Sequence, residues 1–203
     1  ANAETDPTNN AGAARSAKLI ALIAAPLGIS PSDFDPSNDS ATPVDLGGVL
    51  DAHAQPNGSY DLGAQFNGVL YAAVALQVTG SEVPAGLIAQ IKAAMRPEGS
   101  WDYTGTPDNE FGGMDVDTTA LALIALRSAG LTTDDPAVHA GVAWLASQQQ
   151  ANGAWQAFGS DDPNSTSMAS IALSDLGIDT ATAGWRSTFG TPAGGSYVGP
   201  EAW

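Results

Sequence analysis

Acidic side chains are concentrated in one stretch of the chain, and their spacing raises the question of cation binding. Asp108, Glu110, Asp115 and Asp117 lie within a few positions of one another. Carboxylate oxygens are the ligands that a hard cation such as calcium prefers. The spacing matches no EF-hand loop, however, and a solvated acidic loop is the simpler interpretation. We therefore expect neither a bound metal nor a cofactor.

Asp117 also belongs to a pattern that predicts structure. Three segments begin with Asn67, Asp117 or Asn164, and each ends on a Gly thirteen residues later. Between these ends the apolar residues recur at helical spacing. An Asn or Asp side chain caps the first N–H groups of a helix, and Gly takes the left-handed turn after its last residue. The pattern predicts three helices, with Asp117 as one of the N-caps.

A second pattern precedes these helices and indicates a repeat. Four Gly-x-aromatic turns, spaced 41, 54 and 42 residues apart, end on Tyr60, Trp101, Trp155 and Tyr197. Shorter helical stretches lead into the turns over 44–54, 84–95, 136–150 and 182–189. Such spacing is typical of an array of helical hairpins. We predict an all-α fold of about four hairpins without strands, a leader over 1–12 and one repeat domain over 13–203, with the turn aromatics as packing wedges.

The composition limits the function classes. The formal net charge is −16, which disfavours nucleic acid and anionic membrane surfaces as partners. The longest apolar run, 19–27, is too short to span a bilayer, so membrane insertion is not expected. The chain has no Cys, which excludes thiolate metal sites and cysteine nucleophiles. The acidic, Asn-rich leader is typical of the stretch that follows a cleaved signal peptide, and it predicts an extracellular or cell-surface protein.

Two motifs resemble those of a known family. The segment Gln149-Gln150-Ala151-Asn152-Gly153-Ala154-Trp155 matches the Gln-x-x-x-Gly-x-Trp repeat of squalene cyclases. The segment Asp115-Val116-Asp117-Thr118-Thr119-Ala120 is similar to the Asp-x-Asp-Asp-Thr-Ala stretch of class II terpene cyclases, with Thr118 in place of the last Asp. The chain therefore resembles the terpenoid cyclase and protein prenyltransferase family. That resemblance implies an α/α-toroid, here an incomplete ring because the family usually has six hairpins.

The resemblance also implies candidate functions. Asp117 falls on the position of the family's proton donor, and Asp115 is the neighbouring acid, which makes both candidate catalytic residues. The equivalence of Asp117 with Asn67 and Asn164 favours a cap instead, since Asn cannot act as a comparable acid. Aromatic residues make up only 7% of the chain, whereas a cyclase needs aromatic walls around its cation. The Cys that prenyltransferases and thioester domains require is absent.

The spacing between the turns and the helices points to a binding loop. Trp101 and Asp117 are sixteen residues apart, whereas the corresponding distances in the other repeats are seven and nine. Insertions in repeat proteins often carry binding. We take Tyr103, Glu110 and Phe111 from this loop as ligand-binding candidates. Arg127 is a fourth, because it lies near the end of an apolar helix, where it could cap carbonyls or meet an anionic ligand.

These observations lead to one functional hypothesis and one alternative, and a structural repeat without a ligand is a third possibility. The hypothesis is a non-catalytic extracellular toroid domain that binds a small hydrophobic or anionic ligand, or a partner, at the mouth of its cavity. A second copy of the chain or a further domain would complete the ring. The alternative is a class II terpene cyclase in which Asp117 is the general acid.

Overall fold

The computed structural model describes residues 9–38, 42–63, 66–108, 115–192 and 197–202, and this part of the chain is mostly helical. The all-α prediction is confirmed at that level. Contacts divide the chain into two compact units, 1–91 and 92–203, which are described separately below. None of the described helices is long and apolar enough to cross a membrane.

The first unit is built around helix α1, which packs against two later helices. Its elements are α1 (Asn10–Leu19), a π-helical turn (Ile20–Ala24), α2 (Ala25–Leu27), a 3-10 turn (Pro31–Asp33), α3 (Leu46–Asp51), α4 (Asn67–Val78) and α5 (Ala85–Ala93), whose last two residues pass into the second unit. Helix α1 contacts both α3 and α4. A Cβ atom on Gly68 would lie 2.6 Å from Cβ of Ala14, so the absence of a side chain at Gly68 allows α1 and α4 to approach closely.

The second unit is built around α6, the most deeply buried helix of this part of the chain. Its elements are α6 (Val116–Ser128), α7 (Pro136–Gln148), strands β1 (Gln156–Ala157) and β2 (Ser160–Asp161), α8 (Pro163–Asp175), α9 (Gly184–Thr188) and a 3-10 turn (Pro200–Ala202). Helix α6 packs against α7 and α8. Its apolar residues are buried on more than one face, as its sequence predicts. The short antiparallel hairpin of β1 and β2 was not predicted.

Three of the predicted turns have one geometry. In the first, the N–H of Gln55 donates to the carbonyl of Ser59 and the N–H of Gly58 donates back to Gln55. The same pair of backbone hydrogen bonds forms in the turns of Gly99 and Gly153. All three glycines have positive φ, at 81°, 95° and 92°, a conformation that side chains rarely adopt. The recurrence of this geometry supports the repeat read from the sequence.

The aromatic residue of each of these turns packs inside its unit. Tyr60 is 5% exposed, and Trp101 and Trp155 are fully buried, so these three turn aromatics are part of the core. The backbone around both tryptophans is held by a threonine of the following helix. The N–H groups of Trp101 and Trp155 donate at 3.0 Å to the hydroxyls of Thr119 and Thr166. The hydroxyl of Thr119 donates back to the carbonyl of Trp101, whereas that of Thr166 donates to the carbonyl of Asp162 at 2.8 Å.

The three predicted helices start within a residue of the expected positions, but the assignment of their caps was wrong. The N-cap of α6 is Asp115 and the N-cap of α8 is Asp162, so Asp117 and Asn164 lie at the second helical position. Asn67 is the first residue of α4, after Phe66, and the side chain of Phe66 makes no cap hydrogen bond. The starts of α6 and α8 each offer two Asx residues two positions apart. In both helices the earlier residue has the extended backbone that a cap requires.

Candidate functional site

The second unit contains a cavity of about 420 Å³ at the N-terminal end of α6. We call it the Asp117 cavity, and its lining residues are Tyr103, Asp115, Val116, Asp117, Gln156, Ala157, Phe158 and Ser165. They come from the turn that follows Trp101, the start of α6, the β1–β2 hairpin and the start of α8. The structure thus brings together three of the residues that the sequence singled out, Tyr103, Asp115 and Asp117.

Asp115 uses both carboxylate oxygens to hold the start of α6. Oδ1 accepts hydrogen bonds from the N–H groups of Asp117 at 2.9 Å and Thr118 at 3.3 Å. Oδ2 accepts the hydroxyl of Thr118 at 2.6 Å. These contacts satisfy N–H groups that have no partner inside the helix. The geometry explains Asp115 as a cap and leaves no need for a chemical role.

Asp117 is placed differently, because capping does not occupy it. Its Oδ2 accepts a hydrogen bond from Nδ2 of Asn164 at 2.8 Å. Its Oδ1 is buried and has no hydrogen-bond partner among the described residues. Buried polar atoms almost always have a partner, and leaving one unpaired costs about 1–3 kcal/mol, or more for a charged group. An unpaired carboxylate oxygen beside a cavity is a feature that a bound group would explain.

The β1–β2 hairpin places an exposed aromatic ring at the same cavity. Phe158 and Gly159 form its two-residue loop with φ of 52° and 79°, the combination typical of a type I′ turn. Positive φ is unfavourable for a bulky residue, yet the side chain of Phe158 is fully exposed and gains no packing in return. Backbone strain that is not offset by packing contacts is characteristic of binding sites.

The base of this hairpin is fixed by side-chain hydrogen bonds to Asp161. Nε2 of Gln156 donates to its carboxylate at 3.0 Å, and Nδ2 of Asn152 donates at 2.6 Å. These two bonds stabilise the charged form and lower the pKa of Asp161 below its usual value. The hairpin is thereby tied to the turn that contains Gly153.

The turn that carries Tyr103 is anchored by a buried carboxylate. Asp102 is 1% exposed and forms an ion pair with Nη1 of Arg96 at 2.9 Å. It also accepts the N–H of Thr104 at 2.7 Å, which closes the turn around Tyr103. Tyr103 itself is 54% exposed, so its ring is available at the edge of the cavity.

Sequence reasoning missed two contributors, Phe158 and Asp102. The Phe158-Gly159 pair is a weak turn signal, and no alternation of apolar and polar residues surrounds it. Asp102 directly follows the buried Trp101, and that adjacency was the only available sign that a carboxylate is drawn into the interior.

Arg127 does not line the Asp117 cavity. Its Nε donates at 3.1 Å to the carbonyl of Asp175, the last residue of α8, where a cation is favourable. Glu110 and Phe111 lie outside the described residues. Within the part of the chain that is described, no group of three or more His, Cys, Asp or Glu side chains is arranged to hold a metal ion.

Comparison with known proteins identifies no family for this chain. No protein-family model matches the chain, and no curated protein matches it either. The function must therefore be argued from the site.

Proposed function

We propose that this chain is a ligand-binding module and that its ligand occupies the Asp117 cavity. The observation that carries the proposal is the buried, unpartnered Oδ1 of Asp117 at a cavity flanked by the exposed rings of Tyr103 and Phe158. A volume of about 420 Å³ is within the range of small-molecule sites, roughly 300–1,000 Å³.

The chemistry of the lining defines the ligand class. Asp117 offers an acceptor, so the ligand should present a hydrogen-bond donor or a positive charge to it. Tyr103 and Phe158 offer aromatic surface, which attracts apolar groups and cations. Among the described residues that line the cavity there is no Lys, Arg or His. Of the ligand classes expected from the sequence, a small hydrophobic molecule bearing an amine or another donor suits this cavity, and an anion does not.

The wider assignment is part of the same proposal. We retain an extracellular α/α-toroid domain related to the terpenoid cyclase and prenyltransferase repeats. Three turns of one geometry, two of them followed by a helix that begins at an Asp cap, support the repeat. The acidic leader over 1–12 supports the location. A second copy or a further domain remains our proposal for completing the ring.

A cyclase-type acid at Asp117 is the second candidate, and one observation favours it. Asp115 performs the capping, so the structural explanation that the sequence offered for Asp117 is removed. Against this candidate, only two of the described residues that line the cavity are aromatic, whereas a migrating carbocation needs aromatic surface along its path.

The test compares three probes that share one ring and differ in charge: phenethylamine, 2-phenylethanol and phenylacetate. Binding to the full chain is measured by NMR chemical-shift titration, in wild type, Asp117→Asn and the control Asp134→Asn, which removes one charge at an exposed position. We expect the amine to bind tightest, Asp117→Asn to abolish that preference and Asp134→Asn to retain it. Equal binding of the amine by Asp117→Asn and wild type would contradict the proposal.

The same proteins decide the alternative. Each is incubated with polyprenyl substrates and the products are analysed. Binding of the amine without any cyclised product supports the binding module. Cyclised product from wild type and Asp134→Asn, absent with Asp117→Asn, would instead establish the enzyme.

A further inference from the structure

The Asp117 cavity contains a second polar group without a hydrogen bond among the described residues, the hydroxyl of Ser165. Ser165 is the third residue of α8, lines the cavity and is 1% exposed. Its N–H donates at 2.9 Å to Oδ1 of the cap Asp162, but its hydroxyl forms no hydrogen bond with any described residue. Because buried polar groups almost always have a partner, a cavity beside this hydroxyl points to a ligand that supplies one.

The equivalent hydroxyl in the preceding repeat is bound to the protein, which makes that of Ser165 an exception. Helices α6 and α8 both begin after an Asp cap, and a hydroxyl residue follows the cap three positions later, Thr118 in α6 and Ser165 in α8. The next residue in each helix is the threonine that binds the N–H of the preceding turn tryptophan, which supports the correspondence. The hydroxyl of Thr118 donates to its own cap, Asp115, at 2.6 Å. That of Ser165 makes no such bond with Asp162, so helix capping does not explain it.

The two polar groups belong to neighbouring helix starts on the same cavity. Nδ2 of Asn164, the residue before Ser165, donates at 2.8 Å to Oδ2 of Asp117 and so holds the start of α8 against that of α6. Oδ1 of Asp117 is the buried oxygen without a partner among the described residues. The cavity therefore offers an acceptor on one helix and, on the next, a hydroxyl that can donate or accept.

We infer that the ligand is an amino alcohol, with its amine on Asp117 and its hydroxyl on Ser165, and that Ser165 selects for that hydroxyl. This inference rests on the proposed function, in which an amine meets Asp117. A ligand hydroxyl suits Ser165 because each of the two hydroxyls can act as donor or as acceptor. A ligand carboxylate does not, because it would lie near the carboxylate of Asp117, and no Lys, Arg or His is among the described lining residues. The site thereby distinguishes an amino alcohol from the amino acid of the same skeleton.

The experiment titrates the full chain with four probes that share a phenyl ring and an amine, followed by NMR chemical shifts. Phenethylamine is the reference. The amino alcohols 2-amino-1-phenylethanol and phenylalaninol each add a hydroxyl on a carbon next to the one that bears the amine. Phenylalanine carries a carboxylate where phenylalaninol carries its hydroxymethyl group.

We expect at least one amino alcohol to bind wild type roughly three- to tenfold tighter than phenethylamine, the gain of one neutral hydrogen bond. Phenylalanine should bind more weakly than phenylalaninol. The chemical shifts that change on binding should lie at residues 115–118 and 163–166, the two helix starts.

The variants are compared by the ratio of the amino alcohol's affinity to that of phenethylamine. Ser165→Ala should reduce this ratio to about one, because the hydrogen bond to the ligand hydroxyl is lost. Ser167→Ala is the matched control: it removes an exposed hydroxyl of α8 that does not line the cavity, and it should keep the wild-type ratio. A merely structural role for Ser165 would weaken all probes equally and leave the ratio unchanged.

Three results would overturn the inference. They are equal or weaker binding of both amino alcohols relative to phenethylamine in wild type, an undiminished ratio in Ser165→Ala, and phenylalanine binding as tightly as phenylalaninol. The first and third use wild type alone, so they decide even if Ser165→Ala fails to fold. All three leave intact the preference for an amine that tests the proposed function. If wild type lacks that preference, the proposed function fails and this inference fails with it.

Discussion

Replacing Asp115 by Ala should destabilise the second unit more than the same change at Asp117. Asp115→Ala removes the cap of α6, which costs about 0.5–2 kcal/mol. It also removes the bond from the hydroxyl of Thr118, a residue that is 2% exposed, for about 1 kcal/mol more. We therefore expect a loss of about 2 kcal/mol in the free energy of unfolding.

The opposing effects at Asp117 nearly cancel. Asp117→Ala loses the hydrogen bond from Asn164, about 0.5–1.5 kcal/mol, and a charge–dipole interaction of about 0.3–1 kcal/mol. It also removes a buried oxygen that has no partner among the described residues, which raises the free energy of unfolding by about 1–3 kcal/mol. The net change should stay within about 1 kcal/mol of wild type.

Tryptophan fluorescence during urea unfolding measures these differences selectively. All five tryptophans lie in 92–203, so the signal reports on the second unit even where the two units unfold separately. Asp115→Asn is the matched control, because Asn is as good an N-cap as Asp and should recover most of the loss. Asp162→Ala removes the cap of α8 and should lower the free energy of unfolding by about as much as Asp115→Ala does.

One result would refute this account. If Asp117→Ala unfolded at lower urea than Asp115→Ala, the cap would lie at Asp117, as the sequence pattern first indicated. A loss in Asp115→Asn as large as that in Asp115→Ala would likewise show that capping is not the role of Asp115.

Three further predictions concern other features of the second unit. Phe158→Asn places a residue that tolerates positive φ in the type I′ turn, so urea unfolding should show a gain of about 0.5–1 kcal/mol, while NMR titration shows weaker phenethylamine binding. Burial alone would raise the pKa of Asp135, but the Lys92 ammonium and the backbone N–H of Ala137 outweigh it and lower that pKa. The stability from this pair is therefore complete above the unfolded value of about 4 and is lost as pH falls through the lower folded value, so the difference between Asp135→Asn and wild type should shrink on acid titration. Gly141→Ala puts a Cβ atom 2.9 Å from the ring of Trp101, and overpacking should cost about 1–3 kcal/mol in the same urea assay.

Helix positions were predictable because local signals agreed with the packing. The glycines that close α4, α6 and α8 have φ of 78°, 84° and 76°, as the pattern requires. The caps were not predictable, because Asp115 and Asp117 are both good cap residues two positions apart. Only the backbone conformation distinguishes them.

The site was predictable in part. The sequence placed Tyr103, Asp115 and Asp117 in one neighbourhood, because the turn and the helix start are close along the chain. The opposite wall, with Phe158, comes from a hairpin whose strands are two residues long, too short for periodicity to detect. That Oδ1 of Asp117 has no hydrogen-bond partner among the described residues depends on atomic positions that no pattern encodes.

The turn glycines have a consequence for how such a protein can change length during evolution. A Cβ atom on Gly99 would lie 2.7 Å from the carbonyl oxygen of Ala140, and one on Gly153 would lie equally close to that of Gly199. A Cβ atom on Gly58 would lie 3.1 Å from Cβ of Pro84 and 3.4 Å from the backbone nitrogen of Gly86. Each turn therefore lies close to the main chain of a later segment. A gene duplication that adds or removes a whole hairpin would preserve this fit, while the side chains facing any ligand remain free to diverge.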